Sequence, residues 1–173
     1  KYNGERYDGT AKYGGWGRVA EAHHGYINYI SDSELEGLGY SAGYKYDINP
    51  CYTDEYLNEL LISRIIEKLD NHTANGGVPG KTITTVDIGH HDIGNFCMCE
   101  NCLKVYAEDG AISGATVRLA NMVAEALEDK YPEIHVATFA YSGTCNPPRV
   151  TKPHDMVQIS FCFYIGDSSE ILC

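Results

Sequence analysis

Thr84-Thr85-Val86-Asp87-Ile88-Gly89-His90-His91-Asp92 runs on into Cys97-Met98-Cys99-Glu100-Asn101-Cys102, and how this stretch is read decides the fold. It begins with β-branched and apolar residues, the kind that fill a buried strand. Gly89 breaks the run, and two histidines and a carboxylate follow without a gap. Cys97, Cys99 and Cys102 come next. An apolar run that ends in polar residues is how α/β proteins deliver chemistry at the carboxyl end of a strand.

Working outward, the strand spans residues 81–88. Upstream, Thr53 has the chemistry of an N-cap, with Asp54 and Glu55 in the first turn where the helix dipole favours them. Leu57, Leu60, Leu61, Ile65 and Leu69 recur at helical spacing, which predicts a helix to about Asp70. Downstream, a short helix is expected over 99–108 and a longer one from Ser113 to Lys130, stopped by Pro132. Residues 134–141 and 156–163 read as two further strands. Strand, helix, strand and then a proline-bearing connection to another strand is a βαβ pattern with a parallel sheet. Residues 1–50 are rich in Gly and Tyr and read as mostly loops with short elements, a short strand at 18–22 among them.

A full (β/α)8 barrel takes about 250 residues, and this chain has 173. The expected fold is therefore α/β: a portion of a (β/α)8 TIM-like barrel with parallel strands and flanking helices. A small open sheet is the alternative. Residues 1–173 are read as a single domain cut from a longer chain, because Lys1-Tyr2-Asn3-Gly4-Glu5-Arg6 resembles neither a signal peptide nor a start.

Composition excludes several classes. Hydrophobic residues make up 43%, too many for a disordered chain. A net charge of −11 would repel nucleic acid and anionic membranes. No apolar run approaches the roughly 20 residues of a membrane span. The compartment stays open, and a secreted or periplasmic bacterial one is compatible.

Seven cysteines cannot all pair. Cys51, Cys97, Cys99 and Cys102 suit a closed four-thiolate zinc site, which is structural and not catalytic. Such a site would pin the loop after Asp92 to the start of the Thr53 helix. In an oxidising compartment the same spacing could yield a Cys97–Cys102 disulfide, or a bridge from Cys51. Cys145, Cys162 and Cys173 read as buried thiols.

Several segments resemble an uncharacterised glycoside-hydrolase-like family of the TIM-barrel glycosidase superfamily. Its members occur in carbohydrate-degrading bacteria, often beside an α-glucuronidase-type N-terminal domain. The resemblance lies in Asn49-Pro50-Cys51-Tyr52-Thr53-Asp54, in Gly89 through Cys102, and in Ser113-Gly114-Ala115 through Tyr131-Pro132. Ala140-Tyr141 followed by Pro147-Pro148, and His24-Gly25-Tyr26, extend it. His90-His91 departs from the family, which more often has Gln-Asn there, whereas Asp92 matches.

The resemblance implies a carbohydrate substrate, further domains of the same polypeptide, and Asp92 as a general acid or sugar-binding carboxylate. Glycoside hydrolysis needs a second carboxyl group, about 5–5.5 Å away for retention or about 6.5–9.5 Å for inversion, and none is evident. His91 is placed to tune Asp92. His24, Trp16, Tyr141 and His90 are the expected sugar contacts, aromatic faces stacking on pyranose rings. Two alternatives remain: a non-catalytic carbohydrate-binding or scaffolding domain with structural zinc, and a zinc hydrolase using His90, His91 and Asp92 or Asp87.

Overall fold

The computed structural model describes residues 25–40, 49–92 and 94–162. The expected strand at 18–22 and the candidate residues Trp16 and His24 lie outside these. The elements in order are helices α1 (Tyr26–Tyr29), α2 (Asp32–Gly37) and α3 (Glu55–Ala74), strand β1 (Thr85–Asp87), helices α4 (Glu100–Asp109) and α5 (Ser113–Leu127), strand β2 (His135–Ala140), a 3₁₀ turn at Ser142–Thr144, and strand β3 (Val157–Phe161). The architecture is mixed α/β: a three-stranded, all-parallel sheet in the order β1-β2-β3, with flanking helices.

Register divides the sheet into two unlike faces. Val86, Val136 and Val157 stand side by side, as do Thr138 with Ile159 and Ala140 with Phe161. Alternation along each strand puts this set on one side. Val86 and Val136 join Leu119, Ala120 and Val123 of α5 in the core, so this is the helix-covered face. The other face carries Thr85, Asp87, His135, Ala137, Phe139, Gln158 and Ser160.

The expected leucine stripe is the buried side of α3. Leu57, Leu61, Ile65 and Leu69 are all 0% exposed. At roughly 1.5–3 kcal/mol for each buried side chain, the stripe anchors the helix to the core. Asp54 caps the helix, not Thr53: its carboxylate accepts the Leu57 N–H at 3.0 Å. Thr53 is displaced because its hydroxyl is drawn to sulfur, as described below. The segment 25–40, read from sequence as part of a region of mostly loops with short elements, holds two short helices. Ser31 and Glu34 form a reciprocal capping box on α2.

β1 is shorter than its β-branched run suggested, and only an isolated bridge at Ile83 precedes it. At its end, Gly25 and Gly89 are required by close approach. A Cβ on Gly25 would lie 1.7 Å from the Asp87 carbonyl oxygen, and one on Gly89 2.2 Å from the Phe139 ring. At the end of α4, Asp109 is wholly buried and ties the α4–α5 corner to the loop before β3. It accepts from Val150 N–H, Thr151 N–H, the Thr151 hydroxyl and Arg118 Nη2 at 3.1, 2.7, 2.8 and 2.8 Å. Burial alone would raise its pKa, but the Thr151 and Val150 donors and Arg118 outweigh that and hold it below the usual carboxylate value.

Candidate functional site

Because the three strands are parallel, the residues that follow them emerge at one edge of the sheet. His90, His91 and Asp92 follow β1, Tyr141 follows β2 and Cys162 follows β3. Asp92 is exposed, and Tyr141 and His91 are half-buried. Ser142, next to Tyr141, has a φ of 51°, a left-handed backbone that few non-glycine residues adopt. Cys162, read from sequence as a buried thiol, is a half-buried free thiol. Its N–H continues the ladder to the Ala140 carbonyl at 3.1 Å. Burial, and then the charge of Asp92, push its thiol pKa up, which places it within electrostatic reach of that carboxylate. Its place one residue past the apolar run of β3 was the signal that could have put it at this edge.

His90 is 2% exposed and held by the protein. Nδ1 lies 2.8 Å from the His91 carbonyl and Nε2 2.8 Å from Thr144 Oγ1. A carbonyl can only accept, so Nδ1 carries the hydrogen, while the Thr144 hydroxyl that faces Nε2 also lies 3.1 and 3.0 Å from the Phe139 and Tyr141 carbonyls. Phe96 and Phe139 meet the ring edge-on at 5.5 and 5.9 Å. Both ring nitrogens therefore face protein partners in the packing between the β1 and β2 loops.

The clearest chemistry is at the neighbouring corner. Cys51, Cys97, Cys99 and Cys102 bring their sulfurs within 4.8 Å of one another, and all four are free thiols. The Cys97–Cys102 and Cys51 disulfides allowed by the sequence are not formed. Cys51 Sγ is 3.7 Å from Cys99 Sγ and 3.8 Å from Cys102 Sγ. Four sulfurs at about 2.3 Å from a tetrahedral zinc would be spaced about 3.8 Å apart, so the cluster fits a metal ion of that kind. Among the described residues it is the sole grouping of three or more metal-capable side chains.

The local sequence builds this cluster. Asn49-Pro50 delivers Cys51 just ahead of α3. Cys99 caps α4, its sulfur accepting the Cys102 N–H at 3.5 Å. That N–H, the leading cause, with the Thr53 hydroxyl and neighbouring thiols, outweighs desolvation and holds Cys99 down to about 6, a thiolate at neutral pH. Burial pushes Cys97 and Cys102 up instead, where thiolates crowd without a cation. Thr53 Oγ1 is 3.3 Å from Cys102 Sγ, 3.7 Å from Cys99 Sγ and 3.5 Å from Cys51 Sγ. It covers one face of the sulfur cluster and can donate to it. Tyr106 donates its hydroxyl to the Cys97 carbonyl at 2.9 Å, fastening the loop to α4. Cys145, read from sequence as a buried thiol, is disulfide-bonded.

Fold and site together define a parallel α/β protein with a four-cysteine corner able to hold a metal ion beside the carboxyl edge of its sheet. The model of a domain of unknown function, DUF4838, matches residues 13–170, and the chain belongs to that family. No curated protein and no solved structure matches it. Among the described residues no helix is long and apolar enough to cross a membrane.

Proposed function

We propose that the chain is part of a glycoside hydrolase-like (β/α)8 barrel that acts on or binds oligo- or polysaccharide, with Asp92 as its general acid or sugar-binding carboxylate. The observation that carries this reading is the convergence of His91-Asp92, Tyr141 and Cys162 at one edge from three successive parallel strands. Barrel enzymes work at that edge. The strand order supports the barrel. Neighbours follow chain order without reversal, so right-handed crossovers would keep every helix on one face and leave the other to form a lumen. The face that carries Asp87, His135, Ala137, Phe139, Gln158 and Ser160 would be the one turned to that lumen.

Zinc in the four-thiolate corner would be structural: four protein ligands leave no open position for water. A catalytic zinc on His90, His91 and an aspartate is the weaker reading, since both His90 nitrogens already face protein partners. A non-catalytic carbohydrate-binding domain is the second reading. What favours it is that Asp87, the acidic residue just upstream, is wholly enclosed, whereas Asp92 is exposed.

The test uses the zinc-loaded chain and its Asp92→Asn variant. Both are assayed against aryl glycosides and run through gels containing soluble polysaccharides. Turnover that falls at least a hundredfold in Asp92→Asn, the scale of a lost general acid, would uphold the enzymatic reading. Retardation in the gel without turnover would uphold the binding module. Neither turnover nor retardation would overturn both.

A further inference from the structure

The loop that carries Asp92 is fastened to the Asn49-Pro50-Cys51 segment at more than one point. Asn49 is 0% exposed. Its side-chain Oδ1 accepts the His91 N–H at 2.7 Å, and its own N–H donates to the Asn95 carbonyl at 2.7 Å. Two residues further along each strand of this pairing stand Cys51 and Cys97, both members of the sulfur cluster. Pro50 lies between, with its φ fixed by the ring. His91 and Asn95 are thus both held by Asn49, and Cys97 just beyond them is held at the sulfur cluster.

We propose that Asn49 is a positioning residue that links the four-thiolate centre to the His91-Asp92 loop, so that metal occupancy sets the order of the loop bearing the carboxylate. The inference rests on the metal reading of the cysteine corner and is independent of any sugar chemistry. With metal bound, Cys51 and Cys97 share one ion, and the Asn49 segment cannot slide against the loop. The hydrogen bonds to His91 and Asn95 then close a ring of contacts whose other side is the metal. With the metal gone, four thiols that no longer share a cation let that side open, and the loop is left to its hydrogen bonds, the two to Asn49 among them. Asn49 is suited to this because its carboxamide offers an acceptor inside a dry contact, where a lost partner for the His91 N–H costs the full desolvation of that group.

Amide hydrogen exchange of the full chain, read residue by residue by NMR, tests the link. Four samples are compared: zinc-loaded wild type, chelator-stripped wild type, zinc-loaded Asn49→Leu and zinc-loaded Asn49→Asp. Leucine keeps the size and removes the acceptor, and aspartate restores the acceptor. Stripping zinc is expected to speed exchange at His91 and its neighbours at least tenfold more than at amides of α5 and β2, whose protection falls only with the global stability. Asn49→Leu should speed the same amides with one zinc still bound, and Asn49→Asp should return most of the protection. The proposal is overturned if stripped wild type protects the loop as well as loaded wild type does, or if leucine and aspartate behave alike. Should Asn49→Leu fail to fold, the stripped and loaded wild type and the aspartate variant decide the question. Wild type that takes up no zinc would refute the metal reading itself, an outcome recognisable from the metal content before any exchange is measured.

Discussion

β2 and β3 lie side by side in one register, and on the helix face they carry similar residues, yet one is enclosed and the other is not. Val136, Thr138 and Ala140 are buried, whereas their neighbours Ile159 and Phe161 are 42% and 46% exposed. The difference is coverage. α5 lays Leu119, Ala120 and Val123 into the core over β2 and packs less against β3. Beyond its edge, Val117, Pro147, Pro148, Ile159 and Phe161 border an apolar groove of about 210 Å³. The stapled side, from the cysteine corner to β2, is closed at every level by sulfur, hydrogen bonds and helix. Stability should therefore concentrate there, and β3 should tolerate change.

The largest effect is expected at the staple. Cys102→Ser removes a wholly buried sulfur. It should abolish zinc uptake and cost on the order of 5 kcal/mol, part of the roughly 10–16 kcal/mol a structural zinc supplies in zinc-finger peptides. Metal content and urea midpoints, with and without chelator, would show this. If the variant lost its zinc without losing stability, the contrast between the two sides would break.

The next pair compares coverage directly. Leu119→Ala under the helix should cost about 2–5 kcal/mol, while Ile159→Ala on the open part of β3 should stay within about 0.5 kcal/mol. Equal costs in denaturant titrations would mean that β3 is covered as fully as β2.

Asp109→Asn tests the corner that joins α4 and α5 to the approach to β3. A cost of about 2 kcal/mol is expected, less than for a wholly buried ion pair because Arg118 is 34% exposed. The pH dependence has a defined sign. The folded pKa of Asp109 is lowered, so its contribution is complete above the ordinary carboxylate value and is lost as pH falls through the folded one. Asp109→Asn should accordingly show a shallower loss of stability in acid than wild type. Thr53→Val is the smallest of these changes. Without the hydroxyl on the sulfurs, zinc affinity measured against a chromophoric chelator should fall about tenfold, the lower end of what outer-shell partners contribute, and Thr53→Ser should restore it.

Much of this was legible in the sequence because the signals are local. The leucine stripe of α3, the apolar side of α5 and the β-branched runs of β2 and β3 repeat at their own periods, and each element formed close to where its period placed it. The four cysteines were legible by spacing and by thiolate chemistry. What the sequence hid depends on partners far along the chain. Thr53 and Asp54 are both good caps, and only the sulfurs of Cys99 and Cys102 decide which one caps α3. His90 looks like a reactive histidine until Thr144, Phe96 and Phe139 arrive around it. Asp109 reads as an ordinary acidic helix end, and its burial is created by residues 149–151. The capping box of Ser31 and Glu34, by contrast, was local and could have been read as a helix start.

The most direct measurement is zinc K-edge X-ray absorption on the purified chain, alongside its metal content. One zinc per chain with four sulfur neighbours at about 2.3 Å is the expected result. A chain without metal whose Cys51, Cys97, Cys99 and Cys102 are paired as disulfides, or a zinc bound through nitrogen and oxygen, would contradict the four-thiolate corner on which this account is built.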